Sequence, residues 1–169
     1  MTKSILTTMT LVFLCAALAL AADKQIVRPE GSKPGGNYSP GILVNDTLYI
    51  SGQAGEDADG KIPAEFEAEV KQALDNIGVI LHAAGMSPAD VVSVQVYLTD
   101  GALFPRMNAV YTSYFNDPRP TRTTVVVAKL VGPGRIEIKA TARKLPAATF
   151  AYGFGATAVR PTINRSGAA

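Results

Sequence analysis

Arg122 and Glu137 are the two residues whose types and placement first ask for chemistry. Residues 118–143, PRPTRTTVVVAKLVGPGRIEIKATAR, hold two β-branched runs at 123–128 and 136–141, joined by a Gly/Pro-bearing connection at 131–134. Arg122 stands at the mouth of the first run and Glu137 sits inside the second. Opposite charges on what read as neighbouring strands of an apolar sheet have two explanations. One is a small carboxylate-binding, water-activating site. A planar guanidinium grips a carboxylate through two parallel hydrogen bonds, which fixes the adjacent carbon so that a water can be aimed at it. A glutamate nearby accepts a proton from that water and returns one to a departing amine. The other explanation is a structural ion pair, the commoner use of such charges. Period two also allows Glu137 to face solvent between Ile136 and Ile138. Lys139 shares the face of Glu137. Close by, it would favour the ionised carboxylate; as an ordinary exposed lysine, it lies at the sheet's rim in water.

The remaining inventory excludes several kinds of chemistry. Cys15 is the only cysteine and His82 the only histidine. An intrachain disulfide and a Cys/His zinc site are therefore unavailable, and a triad would depend on His82 alone. His82 falls late in a strongly helical segment beside Ala83 and Ala84, the setting of an ordinary helix-surface or interface histidine. A net charge of +2, with 7% aromatic residues and no Trp, offers neither the basic surface nor the stacking platform of a nucleic-acid binder. No nucleic-acid partner is expected.

The chain of 169 residues is 47% hydrophobic and 18% charged, enough for one globular domain with appendages. Residues 1–21 have a basic start, an apolar centre and an Ala-x-Ala end, the pattern of a secretory signal peptide cleaved after Ala21. An uncleaved membrane anchor is the alternative, because the apolar stretch approaches the ~20 residues of a spanning helix. A periplasmic or secreted location is expected, with membrane contact only during export or if the signal is retained. Residues 22–36, rich in Pro, Gly and charge, read as a linker, and 145–169 as a disordered tail.

Between them, residues 37–144 carry the elements that would position Arg122 and Glu137. Apolar runs at 42–44 and 47–51 flank Asn45-Asp46, a two-residue hairpin signal. Residues 64–84 repeat apolar side chains at three- and four-residue spacing, which predicts a helix stopped by Gly85. Glu65, Glu67 and Glu69 load its first turn with the charge that suits the helix dipole. Residues 91–99 predict a strand with Val92, Val94, Val96 and Leu98 on one side. Residues 103–115 predict a second helix with Met107, Val110, Tyr111 and Phe115 buried. The order ββ-α-β-α-ββ gives an α+β fold, a mixed sheet with two helices on one face. The other face, apolar along Val91, Tyr97, Val125 and Val127, is expected to be buried by self-association.

Seven short motifs occur in order: Tyr38-Ser39-Pro40, Ile50-Ser51-Gly52-Gln53, Ala73-Leu74-Asp75-Asn76-Ile77, Ala83-Ala84-Gly85, Asn108-Ala109-Val110-Tyr111, Pro120-Thr121-Arg122-Thr123 and Ile136-Glu137-Ile138. Together they resemble the signatures of the RidA (YjgF) family of reactive intermediate (enamine/imine) deaminases, across residues 35–144. The resemblance implies a chorismate-mutase-like α+β fold assembled as a homotrimer, with sites in clefts between subunits. It implies a 2-iminobutanoate/2-iminopropanoate deaminase, a hydrolase that converts species such as 2-aminoacrylate to a 2-oxo acid and ammonia without a cofactor. Arg122 matches the carboxylate-binding arginine and Glu137 the glutamate that handles the water. Tyr38, Ser51, Gly52, Asn108 and Thr124 fall at further substrate-binding positions. With those matches the site explanation of Arg122 overtakes the ion pair. Thr124 departs from the cysteine common there, Lys139 replaces a frequent acidic residue, and residues 116–119 are short; these bear on substrate choice. The competing expectation is a non-catalytic small-carboxylate binder or chaperone-like protein of the same fold, which the export signal makes a serious rival. A ribonuclease has little support from one histidine and a small net charge.

Overall fold

The computed structural model describes residues 24–32 and 36–144 of the chain. The expected signal peptide and C-terminal tail lie outside the described residues. Six strands and two helices follow in order: β1 (Lys24–Val27), β2 (Gly41–Val44), β3 (Thr47–Ala54), α1 (Phe66–Ala83), β4 (Val91–Leu98), α2 (Phe104–Tyr114), β5 (Thr121–Val126) and β6 (Ile136–Arg143). The β2–β3 hairpin turns at Asn45-Asp46 with Val44 opposite Thr47, and Asn45 takes the left-handed conformation that asparagine tolerates (φ 53°). Helix α1 ends as its glycine predicts. Gly85 adopts φ 66°, its N–H donates to His82 O, and Met86 N–H donates to Leu81 O, the paired bonds of a Schellman stop.

The sheet order is β1-β2-β3-β6-β4-β5. Neighbours are antiparallel except β4 and β5, which run parallel because α2 carries the chain back across the sheet between them. Leu48, Ile50, Val94, Val96, Leu98, Ile136, Ile138 and Ala140 form one core with the apolar stripes of α1 and α2. Each such aliphatic side chain contributes roughly 1.5–3 kcal/mol by leaving water.

Three sequence expectations change. The two strands of residues 118–143 are not neighbours, since β4 lies between β5 and β6. Residues 24–27, inside the stretch read as a linker, form an edge strand paired antiparallel with β2. They lack alternation, and β2's free edge supplies the order. The register of β4 against β6 shifts between Val91 and Ser93, so Val91 enters the core and Val92 stands 47% exposed. The uncovered face consequently lacks Val91, and Val127 lies beyond the end of β5. Tyr97 and Val125 remain on it, with Tyr49, Gln95, Thr123, Lys139 and Thr141.

Candidate active site

Alternation along β6 determines where Glu137 goes. Ile136, Ile138, Ala140 and Ala142 are buried beneath the helices, so Glu137, Lys139 and Thr141 turn to the uncovered face. There Glu137 lies in one cross-strand row with Ala54, Tyr97 and Val125. Lys139 is exposed opposite Gln95 on the central strands, well inside the sheet and away from the expected rim.

Glu137 has a seat because β3 has a glycine. The β3–β6 register slips between Ile50 and Gln53, and Gln53 Nε2 donates to the carbonyls of Ser51 and Gly52 at 3.0 Å each. The Glu137 carboxylate occupies the space a side chain at Gly52 would need: a Cβ there would fall 2.0 Å from Oε1. Ser51 ties this bulge to the preceding loop, its hydroxyl donating to Ser39 O at 2.7 Å and its N–H to Pro40 O at 2.9 Å. The hydroxyl and backbone N–H of Ser51 are thus both spent on the loop that presents Tyr38, itself 70% exposed. A cleft of about 910 Å3 opens between this loop, the second half of β3 and α1, lined by Tyr38, Gly52, Gln53, Asn76 and Glu137. Asn76 anchors its floor by donating to the carbonyls of Ala54 and Glu56.

Arg122 and Thr124 belong elsewhere. Their register partners are Val94 and Val96, both buried, so the two side chains point toward α2. The Arg122 guanidinium carbon sits 4.4 Å from the ring centroid of Tyr111 and 5.6 Å from that of Phe104. Its Nη1 approaches Met107 Sδ at 3.9 Å. Asn108 is one helical turn from both Phe104 and Tyr111, which puts it on the flank of the same helix face. Burial pushes the Tyr111 phenol above its usual range, partly offset by the positive charges of Arg122 and Arg119. Tyr111 Oη and Thr124 Oγ1 are buried with no hydrogen-bond partner among the described residues.

The expected site residues therefore fall into two groups on opposite faces of the sheet. Tyr38, Ser51, Gly52 and Glu137 gather at one, and Asn108, Arg122 and Thr124 at the other. The ion-pair alternative fails, because among the described residues neither Arg122 nor Glu137 has an ion-pair partner.

The buried ion pair is a different one. Glu69 is fully buried; its Oε2 accepts from Arg135 Nε at 2.6 Å and its Oε1 from the backbone N–H groups of Arg135 and Ile136 at 2.6 and 3.3 Å. Arg135 also donates to the carbonyls of Pro63 and Ala64. This lock holds the start of β6, next to Glu137, against the first turn of α1. Its signal was present in the spacing: Glu69 falls within the apolar stripe of Phe66, Val70 and Ala73, where a carboxylate needs a partner.

Comparison with known proteins agrees with this architecture. A family model described as Endoribonuclease L-PSP matches residues 29–144. The 2-iminobutanoate/2-iminopropanoate deaminase of Bos taurus is 46% identical over 116 residues, covering 68% of this chain and 85% of that protein. Among solved structures, RidA from an Antarctic Psychrobacter superposes with a TM-score of 0.67 at 35% identity, over 71% of this chain and 99% of its own. The YjgF gene product of E. coli gives 0.67 at 31% identity, over 72% and 99%. Matched across the domain in sequence and in fold, the chain belongs to the RidA (YjgF) family.

Proposed function

We propose that this protein is an exported, trimeric deaminase of enamine- and imine-type acids, with Arg122 binding the substrate carboxylate and Glu137 handling the water. The observation that carries it is the pair of complementary half-sites. Arg122 has no carboxylate among the described residues to satisfy it, and Glu137 has no cation. Joining the Arg122 face of one copy to the Glu137 cleft of the next completes a site that one chain lacks, and a closed ring completes every copy. Tyr49, Tyr97 and Val125 on the uncovered face would be buried by that assembly. The names of the mammalian relatives, 2-iminobutanoate/2-iminopropanoate deaminases at 42–46% identity, support the reaction class. The apolar leader at residues 1–21 supports export.

The chemistry is a hydrolysis. An enamine such as 2-aminoacrylate tautomerises to 2-iminopropanoate, whose carboxylate lies against the edge of the Arg122 guanidinium. Water adds through oxygen to the iminium carbon as Glu137 takes one of its protons, forming a neutral carbinolamine. Glu137 returns that proton to nitrogen, the C–N bond breaks as the hydroxyl proton passes back to Glu137, and ammonia leaves a 2-oxo acid. Carboxylate binding orients the imine carbon, and the iminium form is electrophilic without further activation.

Turnover of freshly generated 2-iminopropanoate and 2-iminobutanoate by the mature protein is the test. Arg122→Ala abolishes it and Glu137→Ala reduces it severely, while N-terminal sequencing of exported material begins at Ala22. Tight binding of 2-oxo acids with no turnover of any imine replaces this account with the non-catalytic binder.

A further inference from the structure

We infer that Tyr111 is the positioning residue for Arg122: its ring holds the guanidinium by the face and leaves the in-plane N–H groups free for a carboxylate. This inference rests on the carboxylate-binding role proposed for Arg122. A guanidinium has five donors arranged around its edge and none on its face. A long side chain on an edge strand must be fixed before it can orient a ligand, because an unfixed one loses rotamer freedom when the ligand arrives. Fixing it by a carboxylate consumes the edge.

Arg135 shows that outcome in the same molecule. Glu69 takes its Nε at 2.6 Å, and the carbonyls of Pro63 and Ala64 take its Nη2 at 3.1 and 3.0 Å. Three of its five donors are taken, and the Phe66 ring 5.5 Å away adds to that grip. Among the described residues, Arg122 is held without a carboxylate or a carbonyl. Tyr111 lies 4.4 Å from its central carbon, Phe104 lies 5.6 Å away, and its Nη1 makes a weak hydrogen bond to Met107 Sδ at 3.9 Å. The face of an aromatic ring attracts the cation within about 6 Å of its centroid without using an N–H group.

The scaffold makes the ring a firm support. Tyr111 is 3% exposed on α2 and packs against Phe115 with centroids 4.8 Å apart. Its hydroxyl has no partner among the described residues, so hydrogen bonding within them does not explain a tyrosine here. The Asn108-Ala109-Val110-Tyr111 motif therefore has a second functional member at its end.

The test measures KM and kcat for 2-iminobutanoate, and binding of 2-oxobutanoate by calorimetry, in Tyr111→Leu and Tyr111→Phe. Leucine keeps an apolar side chain and removes the π face; phenylalanine keeps the face and removes the hydroxyl. We expect Tyr111→Leu to raise KM and the 2-oxobutanoate Kd about 3- to 30-fold, with kcat changed much less. Tyr111→Phe should rescue both constants. In an Arg122→Ala background, Tyr111→Leu should weaken 2-oxobutanoate binding no further, because the group it positions is gone. Unchanged constants in a folded Tyr111→Leu protein overturn the inference, as does a Phe variant no better than Leu or an equal loss in the Arg122→Ala background. If the wild type binds 2-oxobutanoate but turns over no imine, the deaminase proposal fails and the binding arm still decides the role of Tyr111. If it does neither, both fail.

Discussion

Gly52→Ala separates the Glu137 seat from the stability of the fold. A methyl group on Gly52 would fall 2.0 Å from Glu137 Oε1, 2.7 Å from Cδ and 3.1 Å from Cγ. Ordinary contact distances begin near ~3.4 Å, so the carboxylate must retreat by about 1.4 Å. A displacement of about 1 Å in a catalytic group costs on the order of 10²-fold in rate. The expected result is a fall in kcat of about 10²-fold with KM much less changed, because Arg122 still holds the carboxylate. The fold should barely notice. Gly52 is not among the residues at positive φ, and the clashing atoms are the end of a half-buried side chain that can swing into the cleft. A stability change within about 1 kcal/mol is expected. Initial rates with 2-iminobutanoate and a thermal melt on the same preparation read both quantities. Wild-type kcat in the variant would refute the catalytic importance of this seat. A collapse in melting temperature would show that Gly52 is a packing glycine and refute the reasoning from the other side.

Three further outcomes follow from the surrounding structure. Gly55→Ala should do the reverse of Gly52→Ala, because its Cβ would fall 2.4 Å from the backbone oxygen of Glu69, which cannot swing away; a loss of about 1–3 kcal/mol is expected in urea unfolding. Glu69→Gln should cost roughly 3 kcal/mol, the low end for breaking a buried pair, since the Arg135 side chain is 36% exposed and can recover water; a loss under ~1 kcal/mol in the same assay would contradict the lock. Burial, with a smaller contribution from Asp75, pushes the Tyr114 phenol up from 10.0 to about 12, so its stabilising effect is complete below pH 10 and is lost as the pH rises through 12. Tyr114→Phe should lose the bond to Leu74 O, cost about 1 kcal/mol at neutral pH and flatten the alkaline decline; equal alkaline slopes in both proteins would rule that out.

The helices, the hairpin and most strands were legible because each has a local cause: apolar periodicity, Asn45-Asp46 at the turn, Gly85 at the stop. The residues proposed for both halves of the site were singled out by their motifs. Their spatial relation was not legible. Nothing local tells β6 to insert between β3 and β4, and it is the registers of β4 with β5 and β6 that put Arg122 level with Val94 and Ala140, on the face opposite Glu137. Strand β1 was missed because pairing with β2, and not its own pattern, orders it. Val91 was misplaced by one register slip, which reverses every inference from alternation at that point. Glu69 looked like a helix-dipole residue because a charged side chain in a stripe reveals its partner only when the chain folds. Tyr111 was legible as a buried residue. Its relation to Arg122 depends on contact between α2 and β5, which no spacing encodes.

The central claim is that Arg122 of one subunit works with Glu137 of another. Arg122→Ala chains, inactive alone, and Glu137→Ala chains, severely impaired alone, are unfolded together in equal amounts, refolded and assayed for 2-iminobutanoate hydrolysis. In a ring with random mixing, one site in about four pairs an intact Arg122 with an intact neighbouring Glu137, so activity should return to about a quarter of the wild-type value. Mixed oligomers that remain inactive, while refolded wild type recovers fully, would contradict a shared site.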